Sequence, residues 1–294
     1  MEKRTVSLIV LRVLFKIKEK DLTVPPVKRH VLAISILLIA VSCATDSGIV
    51  LTIDFSGRTL WRYCLEAGID GAIASADTQR TFSSAARCTL SGSPDPSRPG
   101  LFHATVGPVH MTSNILSAEE IENLKEQARG MRFTCSLQDG TIAPDDSSLA
   151  PFVKIGEWDI FKDLAKTVPA LPRTKVRKGS TWDRERTIPL ETKHGNAAGH
   201  LFQSFSLDSV YKDRKNKTYA VVRWRFSYQI EPRTPDTAGY LDKLPSKGAG
   251  SGMALVDVSD KALQNASVNF TVPSASEGMF RISWKESISL RLVQ

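Results

Sequence analysis

Reactive chemistry is scarce in this chain. Four cysteines occur in 294 residues and none forms a C-x-x-C pair, which leaves zinc and thioredoxin-type sites without their usual ligand spacing. The richest glycine stretch, Gly248-Ala249-Gly250-Ser251-Gly252, lacks the third spacing of a dinucleotide loop and the Gly-Lys of a phosphate loop. It is expected to form a turn or bulge entering a strand from Met253 to Val258. Ser251 has no glycine two positions before it, so the nucleophile-elbow pattern of serine hydrolases fails as well. His194 and His200 are six apart, a spacing that neither helix nor strand turns into a metal pair. His103 and His110 flank Gly107-Pro108 and are expected to decorate a turn. Asp145-Asp146 stands in a Pro/Ser loop without the EF-hand pattern. The expectation is a protein that is not an enzyme, with no catalytic set, no metal and no cofactor.

Charge of one sign also thins out on inspection. The formal net charge is +8, but residues 1–42 hold eight Lys/Arg against three Asp/Glu, which leaves 31 basic and 28 acidic side chains in the remainder. A balance of +3 gives no electrostatic footprint for a polyphosphate backbone, and no helix-turn-helix or finger pattern substitutes for one. Nucleic acid is therefore not expected as a partner.

The apolar run from Val31 to Val41 is eleven residues long, too short for a comfortable membrane span and of the right length for the core of a secretory signal. Lys28-Arg29-His30 supplies the positive flank. The run ends Ala40-Val41-Ser42-Cys43, which resembles the bacterial lipobox. That resemblance implies a signal peptide over residues 1–42, removed on export, and a diacylglycerol on the thiol of Cys43 that holds the chain at the membrane. Ala44 is not the Asp associated with inner-membrane retention in enteric bacteria, so the outer membrane is favoured within the cell envelope. In a bacterial cell the sequons at Asn216 and Asn265 lose their usual force. Residues 1–26 fit neither a signal nor a folded domain; a translation start near Val27 would leave Val27 to Cys43 as a compact lipoprotein signal, the rival being a long n-region.

With Cys43 acylated, Cys64, Cys88 and Cys135 remain, an odd number that permits one disulfide in an oxidising envelope. Cys88 is in step with Ala86 and Leu90, and Cys135 with Phe133 and Leu137, so both are expected to face the interior. A Cys88–Cys135 bridge is the preferred pairing, with two buried thiols as the alternative.

After a lipidated tether at 43–48, the chain alternates in the period of strands. Ala220, Val222, Trp224, Phe226, Tyr228 and Ile230 share one face of a half-buried strand, with Arg223, Arg225, Ser227 and Gln229 opposite. Phe280, Ile282, Trp284, Ile288, Leu290 and Leu292 repeat the pattern, and only Glu286 interrupts that face. Such long strands favour a curved antiparallel sheet or half-barrel. Met253–Val258 and Val268–Val272 read as a hairpin around Ser259 to Asn265. The clear helix spans 117–130: Ser117-Ala118-Glu119-Glu120 is a capping box, Ile121, Leu124 and Ala128 follow on one side, and Gly130 stops it. The fold class expected is mainly β (α+β). Residues 49–150 form an N-terminal β lobe with the helix, 151–181 a Pro/basic connector with a short helix at Phe161 to Val168, and 182–294 a C-terminal β lobe.

The segment Leu171-Pro172 to Val176, then Gly179-Ser180-Thr181-Trp182, long strands and Gly250-Ser251-Gly252, resembles a group of uncharacterised β-rich bacterial envelope lipoproteins. These are similar in architecture to lipid-carrier lipoproteins whose half-barrel closes over an apolar cavity. The resemblance implies a location and a fold more than an activity. From the residues themselves, Trp224, Phe226, Tyr228, Phe280, Ile282 and Trp284 supply more bulky apolar surface than one thin layer needs. They are the candidates to line a pocket for a lipid or other apolar ligand, lidded by the helix and the Phe161–Val168 segment. The alternatives are that they pack as core, in a non-catalytic structural or assembly lipoprotein of the envelope.

Overall fold

Residues 48–293 are described by the computed structural model, apart from 55–59, 76, 99, 139–140, 145–153, 156–157, 160–163, 165, 193–194, 233–246 and 278–279. The export segment, Cys43, Asp145-Asp146 and His194 lie outside the described residues. Alternation writes the strands: β1 (Trp61–Ala74), β2 (Gln79–Pro94), β3 (Leu101–Ser113), β4 (Arg132–Gln138), β5 (Thr141–Pro144), β6 (Lys154–Ile155), β7 (Trp158–Asp159), β8 (Thr181–Thr192), β9 (Gly195–Lys212), β10 (Thr218–Pro232), β11 (Lys247–Asp257), β12 (Ala262–Glu277) and β13 (Phe280–Leu292). Among the described residues eleven of these form one sheet in the order β5-β4-β3-β2-β1-β13-β12-β11-β10-β9-β8, and β6 pairs with β7. The large sheet is antiparallel, curved and not closed, a mainly β half-barrel.

β1 and β13 pair from Tyr63↔Leu292 to Ala74↔Arg281. The two strand-rich halves are thus two meanders joined in a continuous sheet. One row of directly paired residues, Cys88–Leu65–Leu290–Ala266–Ala254–Val222–Leu207, crosses seven strands with no member more than 3% exposed. This dry row anchors the core, because every side chain on it sheds water on the same face.

The connector does not separate lobes; it packs onto that face. Its apolar residues Leu164, Val168, Leu171 and Val176 are buried in the same core, while Arg173, Lys175, Arg177 and Lys178 stay in solvent. Leu164, Lys166 and Thr167 are helical, as the sequence suggested for this segment. The stretch after the tether joins them: Ile49 and Val176 exchange backbone hydrogen bonds at 2.8 and 2.9 Å, and Leu51 and Ile53 are buried.

Helix α1 (Ala118–Ala128) begins on the capping box read from the sequence. The Glu120 amide donates to Ser117 Oγ at 3.2 Å, and the Ser117 amide donates to Glu120 Oε2 at 2.7 Å. Gly130 follows with φ of 79°, a left-handed turn that ends the helix at little steric cost. The β11–β12 hairpin also forms, with a tighter turn than expected because β12 starts at Ala262.

The Cys88–Cys135 bridge is overturned by register. Cys88 sits opposite Val109 and Cys135 opposite Phe102, on strands separated by β3 and seven residues apart along it. At roughly 3.3 Å per residue their Cα atoms lie far beyond the ~7 Å a disulfide allows.

Candidate functional site

Next to the dry row runs a second row that crosses nine strands: Met111–Ala86–Ala67–Ile288–Val268–Gly252–Trp224–Phe205–Trp182. Its two ends differ in bulk. From Gly252 onward the aromatic rings fill the face: Trp182 stacks on Phe205 with centroids 5.6 Å apart, and Phe205 meets Trp224 at 5.7 Å. At the other end Ala67 and Ala86 leave the face low. A groove of about 620 Å³ is centred there on Met111, Ala86, Ala67, Ile288 and Val268, and it reaches Lys125 of α1.

The glycine stretch lies inside β11 and does not make the expected turn or bulge. A side-chain carbon at Gly252 would overlap the Trp224 indole, one at Gly250 the Phe226 ring, and one at Gly248 the Phe270 ring. Each glycine is the seat for a ring from a neighbouring strand, a close approach that any Cβ would block. Gly199 seats Tyr228 in the same way.

Trp224, Phe226 and Tyr228 therefore point to the inner face, as their alternation required, and are 2%, 5% and 9% exposed. Phe226 stacks on Phe270 at 5.7 Å, and Tyr228 meets Phe270 edge-on at 6.2 Å. Trp284 is half-buried against the core. Phe280 and Ile282 belong to β13 by backbone, and their side chains lie outside the described residues. The structure thus brings three of the six candidates together under the connector, and the groove lies beyond β11, on the five strands β12, β13, β1, β2 and β3. Sequence reading missed the groove because it depends on absent bulk. The available signal was the pair of inward alanines, Ala67 and Ala86, which are direct cross-strand partners.

A third row carries polar groups on the same face: Arg184–Gln203–Phe226–Gly250–Phe270–Glu286. Glu286, the residue that interrupted the apolar pattern, accepts from Lys166 Nζ of the connector at 2.7 Å, and that ammonium also lies 5.2 Å from the Phe270 centroid. Connector and sheet are tied again where Trp182 Nε1 donates to the Ala170 carbonyl at 2.7 Å and Arg186 Nη2 to that of Val168 at 3.4 Å. Burial, and then the neighbouring charge of Arg184, hold the Arg186 guanidinium below its ordinary range, to about 10.

No family model and no curated protein matches the sequence. Among solved structures, the chain is similar to one described under lipid–protein interactions in lipovitellin, at 10% identity and a TM-score of 0.44, covering 80% of this chain and 25% of that one. The chain thus spans about a quarter of that protein's length. DynF from the dynemicin biosynthesis pathway of Micromonospora chersina matches at 7% identity and 0.19, covering 83% and 89%. A DUF1329 family protein from Desulfovibrio piger matches at 10% and 0.12, covering 79% and 85%. Likenesses this weak carry no weight for function.

Outside the inner face the titratable groups serve local structure. Asp95 in the β2–β3 turn accepts from the Ser97 hydroxyl at 2.6 Å, from the Ser97 amide at 2.8 Å and from Arg98 Nε at 3.3 Å, and these bonds hold its carboxyl well below the usual carboxylate range. His103 lies 3.3 Å from the same carboxylate. Among the described residues no three His, Cys, Asp or Glu side chains converge as a metal site, and no helix is long and apolar enough to cross a membrane.

Proposed function

We propose that this chain is a lipoprotein of the bacterial cell envelope, cut before Cys43 and held at the membrane by lipid on that thiol, that binds or carries an apolar ligand on the inner face of its half-barrel. The observation that carries the ligand reading is the groove of about 620 Å³ centred on Ala67 and Ala86, within the range of roughly 300–1,000 Å³ typical of small-molecule pockets. An open sheet suits such a ligand, since the curved face can be reached without unfolding a closed barrel. Two or three acyl chains on Cys43 would retain the protein at a bilayer by hydrophobic transfer alone. Ala44 favours the outer membrane. The reading assigns no catalytic residue and no cofactor.

A second reading, a structural or assembly lipoprotein, draws support from the aromatic end of the face. There the rings lie on glycine seats, and on the β1–β4 side of the same core the enclosed space among Trp61, Tyr63, Leu164 and Val168 amounts to about 20 Å³, too little for a ligand. The discriminating experiment is organic extraction of the purified protein followed by mass spectrometry for co-purifying lipid, together with uptake of a fluorescent fatty acid. Bound lipid and saturable uptake are expected. A clean protein that takes up no probe would favour the structural reading.

A further inference from the structure

The groove on the inner face has two unlike ends. Its floor, Met111–Ala86–Ala67–Ile288–Val268, crosses five strands, a run of about 19 Å at roughly 4.8 Å per strand. At the β12 end the floor is dry, with Val268 and Ile288 only 1% and 2% exposed. The connector covers this end: Lys166 reaches Glu286 of β13 and lies over the Phe270 ring of β12, each two residues along from Ile288 and Val268 on the same face. Past Val268 the row is blocked, since its next position, Gly252, lies under the Trp224 indole. At the β3 end the floor opens, and Met111 is half-buried. The wall here is α1, whose Ile121, Leu124, Lys125 and Ala128 share one helix face; Leu124 and Ala128 join the core, and Lys125 lines the groove. Glu66, Arg87 and His110 also border the groove, but they alternate with Ala67, Ala86 and Met111 along their strands and so point away from the inner face, where Arg87 pairs with Glu66 at 3.3 Å. Among the described residues that line the groove, Lys125 is thus the charge presented to its inner side, and it stands at the open end.

We infer that the groove takes one long apolar chain tail first, from the β3–α1 mouth towards Val268, and holds its acidic head, carboxylate or phosphate, at Lys125. The inference rests on the carrier reading above and specifies the ligand's shape, head and orientation. A floor one row wide and five strands long fits an extended chain, and the small side chains of Ala67 and Ala86 leave the depth for it. The direction follows from water. Apolar carbon gains most by reaching the dry, covered end, whereas a charged head taken there would be stripped of its hydration, and the Lys166 ammonium at that end is already held by Glu286. At the mouth the Lys125 side chain is 26% exposed and pairs at 2.6 Å with Glu122, which is 68% exposed. A pair so open to solvent contributes little, so Glu122 gives way to a second acid as the head docks.

Orientation is tested on the full protein in detergent with two hexadecanoate probes, one carrying a photoreactive diazirine at the tail end and the other beside the carboxylate. After irradiation and peptide mapping, the tail probe should label β12 and β13 around Val268 and Ile288, and the head probe α1 and the Met111 end of β3. The reverse pattern, the same peptides from both probes, or labels outside the groove overturn the inference and leave the carrier reading standing. Absence of saturable binding by either probe overturns both. The head is tested by the affinities of hexadecanoate, hexadecyl phosphate and hexadecanol. At least one acid should bind about tenfold more tightly than the alcohol, and the tighter acid names the head group. Lys125→Met should bring that ratio close to one while leaving hexadecanol affinity within about twofold. Glu122→Gln, at an exposed position that the fold does not depend on, should raise the affinity of the acid about threefold by freeing Lys125. Equal affinity for acids and alcohol in the parent protein, or a ratio that neither variant moves, overturns the head site.

Discussion

The indole of Trp224 lies across Gly252 of the adjacent strand, so closely that a methyl group at position 252 would overlap the ring. Gly252→Ala should therefore destabilise the fold by about 2 kcal/mol, an overpacking cost, although alanine is ordinarily the better strand residue. Combining it with Trp224→Leu, which removes the obstruction, should give less than the sum of the single effects. Urea unfolding of the double-mutant cycle checks this; strict additivity would mean that the ring is not seated on Gly252.

Lys166 and Glu286 test the connector. Their side chains are only 6% and 17% exposed. Lys166→Met should cost about 3 kcal/mol by leaving the Glu286 carboxylate buried without its ammonium, whereas Lys166→Met with Glu286→Leu should recover most of the loss. Chemical denaturation of the three variants reads the pattern. Equal stability of the single and the double variant would show that the pair does not bind connector to sheet.

Acid should loosen the β2–β3 turn. Asp95 has a folded-state pKa below its unfolded value, chiefly through the Ser97 hydroxyl and then the Ser97 amide, so its contribution is present above about pH 4 and is lost as the pH falls through and below that value. The urea midpoint of the parent protein should drop between about pH 4 and 2 by more than that of Asp95→Ala. Parallel curves for the two proteins would remove Asp95 from the account.

Filling the groove should block a ligand and spare the fold. Ala86→Leu adds apolar bulk to the floor of an open groove, so fluorescent fatty-acid uptake should fall at least fivefold while the unfolding midpoint changes little. Unchanged uptake would place the ligand elsewhere on the molecule.

Cys43→Ser should leave the protein uncleaved or released from the membrane, because the thioether that carries the diacylglycerol cannot form. Mass spectrometry of the mature N-terminus, with fractionation of membranes, gives the answer. An unmodified Cys43 in the parent protein, or processing at another residue, would rule out the anchor.

Local periodicity determined a good deal by itself. The alternation from Ala220 to Ile230 marked out β10 and its buried face, and Ser117 with Glu120 marked the start of α1, because a strand face and a helix cap depend on residues a few positions apart. The same alternation placed Trp224, Phe226 and Tyr228 on the inner face without saying what would cover them. Tertiary structure alone decided the pairing of β1 with β13, which joins the halves into one sheet, and the register that keeps Cys88 far from Cys135. It also turned Gly248 to Gly252 from an apparent turn into seats for aromatic rings, and Glu286 from an interruption into the partner of Lys166. These relationships join residues as distant in the chain as Tyr63 and Leu292, and a period of two along one strand carries no information about which strand lies beside it, or how far the two are shifted.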